Sequence, residues 1–145
     1  MPDHKLHMKT EELETYLSQV FPQSDQYGFS VARLEPGKIS VHMAVTDAHL
    51  RPGGTVSGPS MFALADCAAY LLILAHIGKV ALAVTTNLNI NFLSKPEGDL
   101  IAHANLLKLG KRLAVCDMSL HAVSDDRLVA HATTTYSIPP RSVDA

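Results

Sequence analysis

One carboxylate, Asp66, interrupts an otherwise uncharged and apolar stretch that runs from Met61 to Ile77. A carboxylate in apolar surroundings is costly unless it finds partners, so Asp66 is a candidate general base or nucleophile. Gly58 lies eight residues before Asp66, just ahead of this stretch, and can offer a backbone N–H to a developing oxyanion. The spacing alone leaves open a structural role, in which Asp66 only anchors the buried segment.

The stretch around Asp66 predicts a buried central helix over 57–77. It is longer than most strands, its alanines and leucines favour helix, and it is apolar on all sides. Ser57 or Ser60 can cap its start. Pro59 suits the first turn, where a missing N–H costs nothing, and Gly78 can close the end. Its length and the carboxylate midway argue against a membrane span.

The rest of the chain predicts a short amphipathic helix and about six strands. The helix covers 9–21 and a polar turn follows it. The strands cover 27–34, 38–45, 79–93, 99–109, 113–123 and 128–138, and short turns rich in glycine, proline or aspartate separate most of them. Short turns predict antiparallel neighbours. One sheet and one apolar helix predict an α+β fold in which the sheet curls around the helix.

The predicted strand at 79–93 is polar along one face. Thr85, Asn87, Asn89 and Asn91 alternate with mostly apolar residues. Because asparagine is a poor strand former, this strand is expected at a sheet edge or beside a solvated site.

Composition predicts one domain over residues 1–145 with a core at about 27–140. The chain is 47% hydrophobic, too much for a disordered protein, and its net charge is −2 with no basic tract, which argues against nucleic-acid binding. Two cysteines, Cys67 and Cys116, are too few for a disulfide scaffold and are expected to be core thiols. The first residues lack a signal-peptide pattern, so a cytoplasmic location is expected.

The eight histidines do not follow a metal-binding motif. His103, His121 and His131 share the outward parity of their strands and could form a patch. No metal site is predicted.

Three segments of the chain together resemble the hotdog-fold thioesterases, most closely the acyl-CoA thioesterases of the phenylacetic-acid-degradation type. They read HLRPGGTVSGPSMFALAD, TTNLNINFLSKP and LGKRLAVCDMSLH, and the resemblance covers about residues 27–140. Gly58 and Asp66 match a glycine and an aspartate that carry the chemistry in that family, and Thr85 matches a family hydroxyl residue.

Three positions depart from that family's usual pattern. Ser57 stands where histidine is usual, Pro59 where a second glycine is usual, and Arg51 where asparagine is usual. Because Pro59 has no N–H, the set of oxyanion donors differs from that of a Gly-Gly sequence.

The resemblance implies a homodimer joined at edge strands, often doubled to a tetramer, with sites between subunits that hydrolyse acyl-CoA without a further cofactor. Asp66 would act as base or nucleophile, Gly58 as oxyanion donor, and Thr85 of the neighbouring subunit would hold the water or the carboxylate. Further candidate contacts to the substrate are Ser57, Arg51, Asn87, Lys111 and Arg112, of which the three cations could meet the phosphates of coenzyme A. Two alternatives stay open: a protein that binds acyl-CoA without turnover, and a hydratase, which would need a catalytic histidine.

Overall fold

Residues 5–140, which this computed structural model describes, form two α-helices and six β-strands. The helices are α1 (Thr10–Val20) and α2 (Gly58–Ile77), and short 3₁₀ helices lie at Pro22–Tyr27 and Asp47–His49. The strands are β1 (Phe29–Glu35), β2 (Lys38–Met43), β3 (Val84–Phe92), β4 (Leu100–Leu109), β5 (Leu113–Ala122) and β6 (Leu128–Ser137).

The six strands form one antiparallel sheet in the order β1-β2-β4-β5-β6-β3, wrapped around α2. One face of each central strand is buried, as the alternation predicted. On β5, Ala114, Cys116, Met118 and Leu120 are fully buried. A sheet wrapped around one long helix is the hotdog fold, so the predicted architecture is confirmed.

Helix α2 is capped at both ends as its sequence predicted. Ser57 is the N-cap residue, and its hydroxyl oxygen accepts the N–H of Ser60 at 3.2 Å. Gly78 ends the helix with a positive φ of 87°, and its N–H donates to the carbonyl of Leu74 at 2.8 Å. These caps satisfy backbone groups that a helix end leaves free.

The length of α2 does not exclude a membrane span, contrary to the sequence-based expectation. Its 20 residues are long and apolar enough to cross a bilayer, but 67% of its most apolar window is buried inside the fold. The sheet therefore replaces lipid as the apolar surroundings of α2, and this helix is the core of the domain.

Strand β3 pairs with β6 and lies at the sheet edge. The expected edge position is confirmed, but the expected hairpin between β3 and β4 is wrong, because β4 pairs with β2 and β5 instead. The strand is also shorter than predicted. After Gly78 the chain makes a tight turn, in which the N–H of Ala83 donates to the carbonyl of Val80, so β3 begins only at Val84.

Candidate active site

Two hydroxyl groups converge on one oxygen of the Asp66 side chain. Thr85 Oγ1, from β3, donates to Asp66 Oδ1 at 2.7 Å. Tyr136 Oη, from β6, donates to the same oxygen at 2.7 Å. Within residues 5–140 the second oxygen, Oδ2, has no hydrogen-bond partner. In the described chain, Asp66 therefore has one carboxylate oxygen that accepts two hydrogen bonds and a second oxygen that accepts none.

A β-bulge in β3 brings Thr85 to Asp66. The register against β6 slips between Thr85 and Asn87, so one extra residue, Thr86, enters the strand. Such a residue reverses the facing of the side chains before it. Simple alternation put Thr85 on the same face as Asn87, but the bulge turns it to the helix side. The contact with Asp66 is made within one chain, so the neighbouring subunit is not needed to supply Thr85.

Tyr136 is a site residue that the sequence did not reveal. It lies on the inner face of β6, only 2% exposed, and pairs with Thr85 across the strands. Burial, and next the charge of Asp66, raise the pKa of Tyr136 far above its usual value. The phenol therefore stays protonated and remains a hydrogen-bond donor at any ordinary pH. The alternation of residues in the last strand predicts that Tyr136 faces the core. It does not predict the contact with Asp66, which joins residues 70 positions apart.

Asp66 lines an apolar cavity of about 330 Å³. The cavity lies between α2, the start of β3, and the N-terminal segment that runs from α1 to the start of β1. The rest of its wall includes Leu17, Val20, Phe21, Ser24, Tyr27, Phe29, Ala63, Cys67, Tyr70, Val84, Thr85 and Tyr136. No pattern in the sequence indicated that α1 and the 3₁₀ helix after it would form one side of this cavity. A carboxylate with access to such a space can meet a bound molecule.

Tyr70 and Cys67 present neutral groups to the cavity. The Tyr70 hydroxyl donates to the carbonyl of Ala81 at 3.0 Å, and burial raises the pKa of Tyr70 to about 12. Burial, and then the charge of Asp66, raise the pKa of the Cys67 thiol well above its usual range. A protonated thiol is a poor nucleophile, so Cys67 is a weaker candidate for nucleophilic chemistry than Asp66.

Both cysteines are free thiols. Cys116 is fully buried in the core, as expected, and burial raises its pKa to about 12. Cys67 is only partly buried and faces the cavity, so its assignment as a core thiol was incomplete.

Gly58 lies at the start of α2 and does not line the cavity. Eight residues of helix separate it from Asp66, a rise of about 12 Å. Its N–H has no hydrogen-bond partner within residues 5–140, which suits an oxyanion donor. A Cβ at this position would lie 3.3 Å from the Phe92 ring, so glycine leaves room there. Gly58 and Asp66 of a single chain are thus too far apart to act on one carbonyl group.

The Ser57 hydroxyl is already used by the helix cap. Besides accepting the Ser60 N–H, it donates to Ser60 Oγ at 2.9 Å. This geometry supports the capping role of Ser57 over direct contact with substrate.

Replacing Ser57 with alanine is expected to lower the free energy of unfolding by about 1 kcal/mol, because the first turn of α2 loses its cap. Ser57→Gly should cost only about a few tenths of a kcal/mol, since glycine tolerates the N-cap position. Urea unfolding at one fixed protein concentration measures both. Equal losses in the two variants would contradict a capping role.

The candidate substrate-binding cations fall at two different ends of the fold. Arg51 is exposed in the loop before α2, on the Gly58 side. Lys111 and Arg112 are exposed in the β4–β5 turn, where β5 begins beside the Thr85 end of the sheet. Arg112 Nε also donates to the carbonyl of Ile138 at 3.0 Å. Asn87 is exposed on β3, next to the bulge.

Of the three histidines that could form a patch on the outer sheet face, two lie close together. The rings of His103 and His121 lie 5.5 Å apart, and His131 Nε2 lies 3.7 Å from Asp117 Oδ2. Burial, followed by the proximity of His121, lowers the pKa of His103. In the part of the chain that the structure describes, no three His, Cys, Asp or Glu side chains are grouped to hold a metal ion.

Comparison with protein-family models adds the decisive observation. Residues 53–129, just over half of the chain, match the model described as the thioesterase superfamily. The chain belongs to the thioesterase superfamily. The match includes Gly58, Asp66 and Thr85, so the resemblance found in the sequence is confirmed at the level of the family. Proteins of this superfamily act on small-molecule thioesters.

Solved structures agree with this assignment. A protein from a Silicibacter species, provisionally named a thioesterase, is 51% identical with a TM-score of 0.88, over 96% of this chain and 97% of that one. A mutant of the phenylacetic acid degradation protein PaaI from Thermus thermophilus is 27% identical with a TM-score of 0.72, over 81% and 99%. Zebrafish thioesterase superfamily member 2, at 22% identity and a TM-score of 0.80 over 91% and 99%, shares the fold. A comparison with curated protein sequences gave no match.

Proposed function

We propose that this protein hydrolyses acyl-CoA thioesters, with Asp66 as the base or nucleophile and the Gly58 amide as the oxyanion donor. The observation that carries the proposal is the Asp66 carboxylate, fixed by two hydroxyl groups in the wall of an apolar cavity. An apolar acyl group fits such a cavity, and its thioester carbonyl would then meet the carboxylate.

Thioester hydrolysis needs two things from the protein: an activated oxygen nucleophile, and hydrogen-bond donors that stabilise the negative charge on the carbonyl oxygen. An oxygen bonds to the carbonyl carbon, the C–S bond breaks, and the thiolate leaves and takes a proton. Thiols have pKa values near about 8.5, so the leaving group needs no strong acid. Asp66 either activates water or attacks first to give an anhydride, which water then opens. The amide of Gly58, at the positive end of the α2 dipole, suits the oxyanion.

The proposal requires two chains, because Asp66 and Gly58 are about 12 Å apart along one helix. An oxyanion donor must lie about 3 Å from the carbonyl oxygen, and the base about as close to the carbon or its water. One protomer would therefore supply Asp66 and Thr85, and a second protomer would supply Gly58.

The edge strand β3 suits this pairing of chains. Thr85 near its start contacts Asp66, and Phe92 at its end lies against Gly58. A two-fold axis through the middle of β3 would set the Thr85 end of one strand beside the Phe92 end of the other. The side chains of Thr85 and Phe92 both face the helix. Phe92 lies against Gly58 of α2, and the bulge turns Thr85 toward the same side. Asp66 of one chain would thus approach Gly58 of its partner.

Exposed apolar side chains support an interface at this edge. They are Phe62, Leu82, Val84, Phe92 and Leu93, each at least 40% exposed in the single chain. Four of them belong to β3 or flank it in the chain, and large apolar side chains exposed along an unpaired sheet edge favour a surface that another molecule covers. Pairing of β3 would also cover an unprotected sheet edge.

The same dimer would bring the cationic side chains that could bind coenzyme A into one site. Arg51 lies at the Gly58 end of its chain, whereas Lys111 and Arg112 lie at the Thr85 end. In the proposed dimer these ends belong to one site, with Arg51 from one protomer and the other two from its partner. Arginine and lysine there can bind the phosphates of the substrate.

Thiol release from a panel of acyl-CoA esters tests the proposal. We expect aryl and medium-chain esters to be cleaved with kcat/KM at least about tenfold above that of acetyl-CoA, because they fill apolar space that acetyl leaves empty. The assay follows free thiol with a chromogenic disulfide, at matched substrate concentrations.

Tight binding without thiol release across the whole panel would instead favour a protein that only binds acyl-CoA. Hydration of an enoyl-CoA without thiol release would favour a hydratase. Equal turnover of acetyl-CoA and the larger esters would contradict the role given to the cavity.

A further inference from the structure

We infer that Asp66 reacts through its Oδ2 oxygen, and that Tyr136 is a positioning residue which, with Thr85, holds the other oxygen. The inference rests on the proposed thioester hydrolysis and adds a residue and an atomic role to that site. It follows from the uneven distribution of hydrogen bonds on the carboxylate.

The two donors fill the hydrogen-bonding capacity of Oδ1. A carboxylate oxygen has about two lone-pair sites, and Thr85 Oγ1 and Tyr136 Oη each occupy one at 2.7 Å. Hydrogen bonds to an ionised acceptor are among the strongest in proteins. Together they fix the rotation of the carboxylate about its side-chain bonds.

The remaining oxygen has room to react. Oδ2 has no partner within residues 5–140, and it is not among the buried side-chain atoms that lack one. It is therefore accessible, and the space beside Asp66 is the cavity. A carboxylate held by Oδ1 presents Oδ2 to whatever occupies that space.

Tyr136 contributes to the cavity wall, but its hydroxyl is directed at Asp66. Its ring is 2% exposed and lies 6.2 Å, centroid to centroid, from the ring of Tyr70. Its hydroxyl is 3.2 Å from the Asp66 carbonyl as well as 2.7 Å from Oδ1. Substrate therefore does not need to touch this hydroxyl for it to matter.

Removal of either hydroxyl is expected to slow the reaction without weakening binding. In Tyr136→Phe and in Thr85→Val, kcat should fall about tenfold while KM changes less than about twofold, since a hydrogen bond to a charged group is lost. The double variant should lose more kcat than either single variant, and the two losses are not expected to multiply because both hydroxyls act on one oxygen. Steady-state kinetics with the best ester of the panel measure this split.

Tyr16→Phe is the matched control. It deletes the same hydroxyl from a tyrosine of α1 that packs under Lys79 and does not line the cavity. We expect parental kcat and KM. A loss in this control equal to that in Tyr136→Phe would overturn the inference, as would a rise in KM with unchanged kcat in Tyr136→Phe. If Tyr136→Phe does not fold, Thr85→Val still tests whether the hydrogen bonds to Oδ1 matter, and an unchanged kcat in that variant would overturn the inference.

The Asp66→Asn variant separates the two claims. Parental turnover in Asp66→Asn would refute the proposed function of the site, whatever the tyrosine does. An inactive Asp66→Asn together with a fully active Tyr136→Phe would overturn the positioning role alone.

Discussion

Asp66→Asn is expected to lower kcat by about a hundredfold to ten-thousandfold, the usual contribution of a positioned general base, while the protein keeps its fold. The amide has the shape of the carboxylate, and its oxygen can still accept the hydrogen bonds of Thr85 and Tyr136. What is lost is the second oxygen, which an NH₂ group replaces. Thiol release under saturating substrate measures the effect.

The matched control for this variant is Asp117→Asn. Asp117 lies in β5, where its side chain pairs with His131 on the outer face of the sheet, away from the cavity. The same chemical change there should leave kcat within about twofold, as substitutions away from a site usually do. Comparable losses in both variants would contradict a special role for Asp66.

Gly58→Pro is expected to lower kcat by about a hundredfold to a thousandfold, because it removes the one N–H that the proposed oxyanion hole uses. The start of a helix tolerates proline, and Ser57 before it is already extended, with ψ of 151°. Gly58→Ala is the matched control, since it adds a Cβ against Phe92 but keeps the N–H. The control should lose much less activity.

Mixed dimers of Gly58→Pro and Asp66→Asn chains provide a sharper test. In the proposed arrangement each mixed dimer has one site with an intact Gly58 and an intact Asp66, and one site that lacks both. Two different affinity tags on co-expressed chains isolate these dimers. We expect about half of the parental activity, although each variant alone is nearly inactive.

Failure of the mixed dimers to exceed the single variants would rule out a site shared between chains. Circular dichroism and size-exclusion chromatography show whether both variants fold and associate. If the variants are folded and associated, absent recovery bears on the site and not on assembly.

Local features of the chain were predictable from its sequence. The apolar run of α2 is interrupted by a single charged residue, Asp66, and a helix apolar on all sides is expected to be buried. The caps of this helix follow from Ser57 and Gly78. The asparagines of β3 indicated an edge because a central strand would have to bury them. Asp66 stood out as the one charge in that helix.

The contacts that join distant segments were not predictable. Pairing of β3 with β6 brings together residues that are between 38 positions (Phe92 and Ala130) and 53 positions (Val84 and Ser137) apart, and a short turn after β3 suggested a local hairpin instead. The bulge at Thr86 changes which face Thr85 occupies, and no local pattern marks it. Tyr136 and the cavity wall from α1 depend on the same long-range packing.

The spacing of Gly58 and Asp66 along α2 has a consequence for inheritance. Under the proposed arrangement each helix serves two reaction centres, one at its first residue and one in its third turn. A chain lacking both groups would disable both centres of any dimer that it forms with a parental chain. With equal amounts of the two chains, only the dimers of two parental chains, about a quarter of the total, would stay active, whereas damage to either group alone would spare half of the output of each mixed pair.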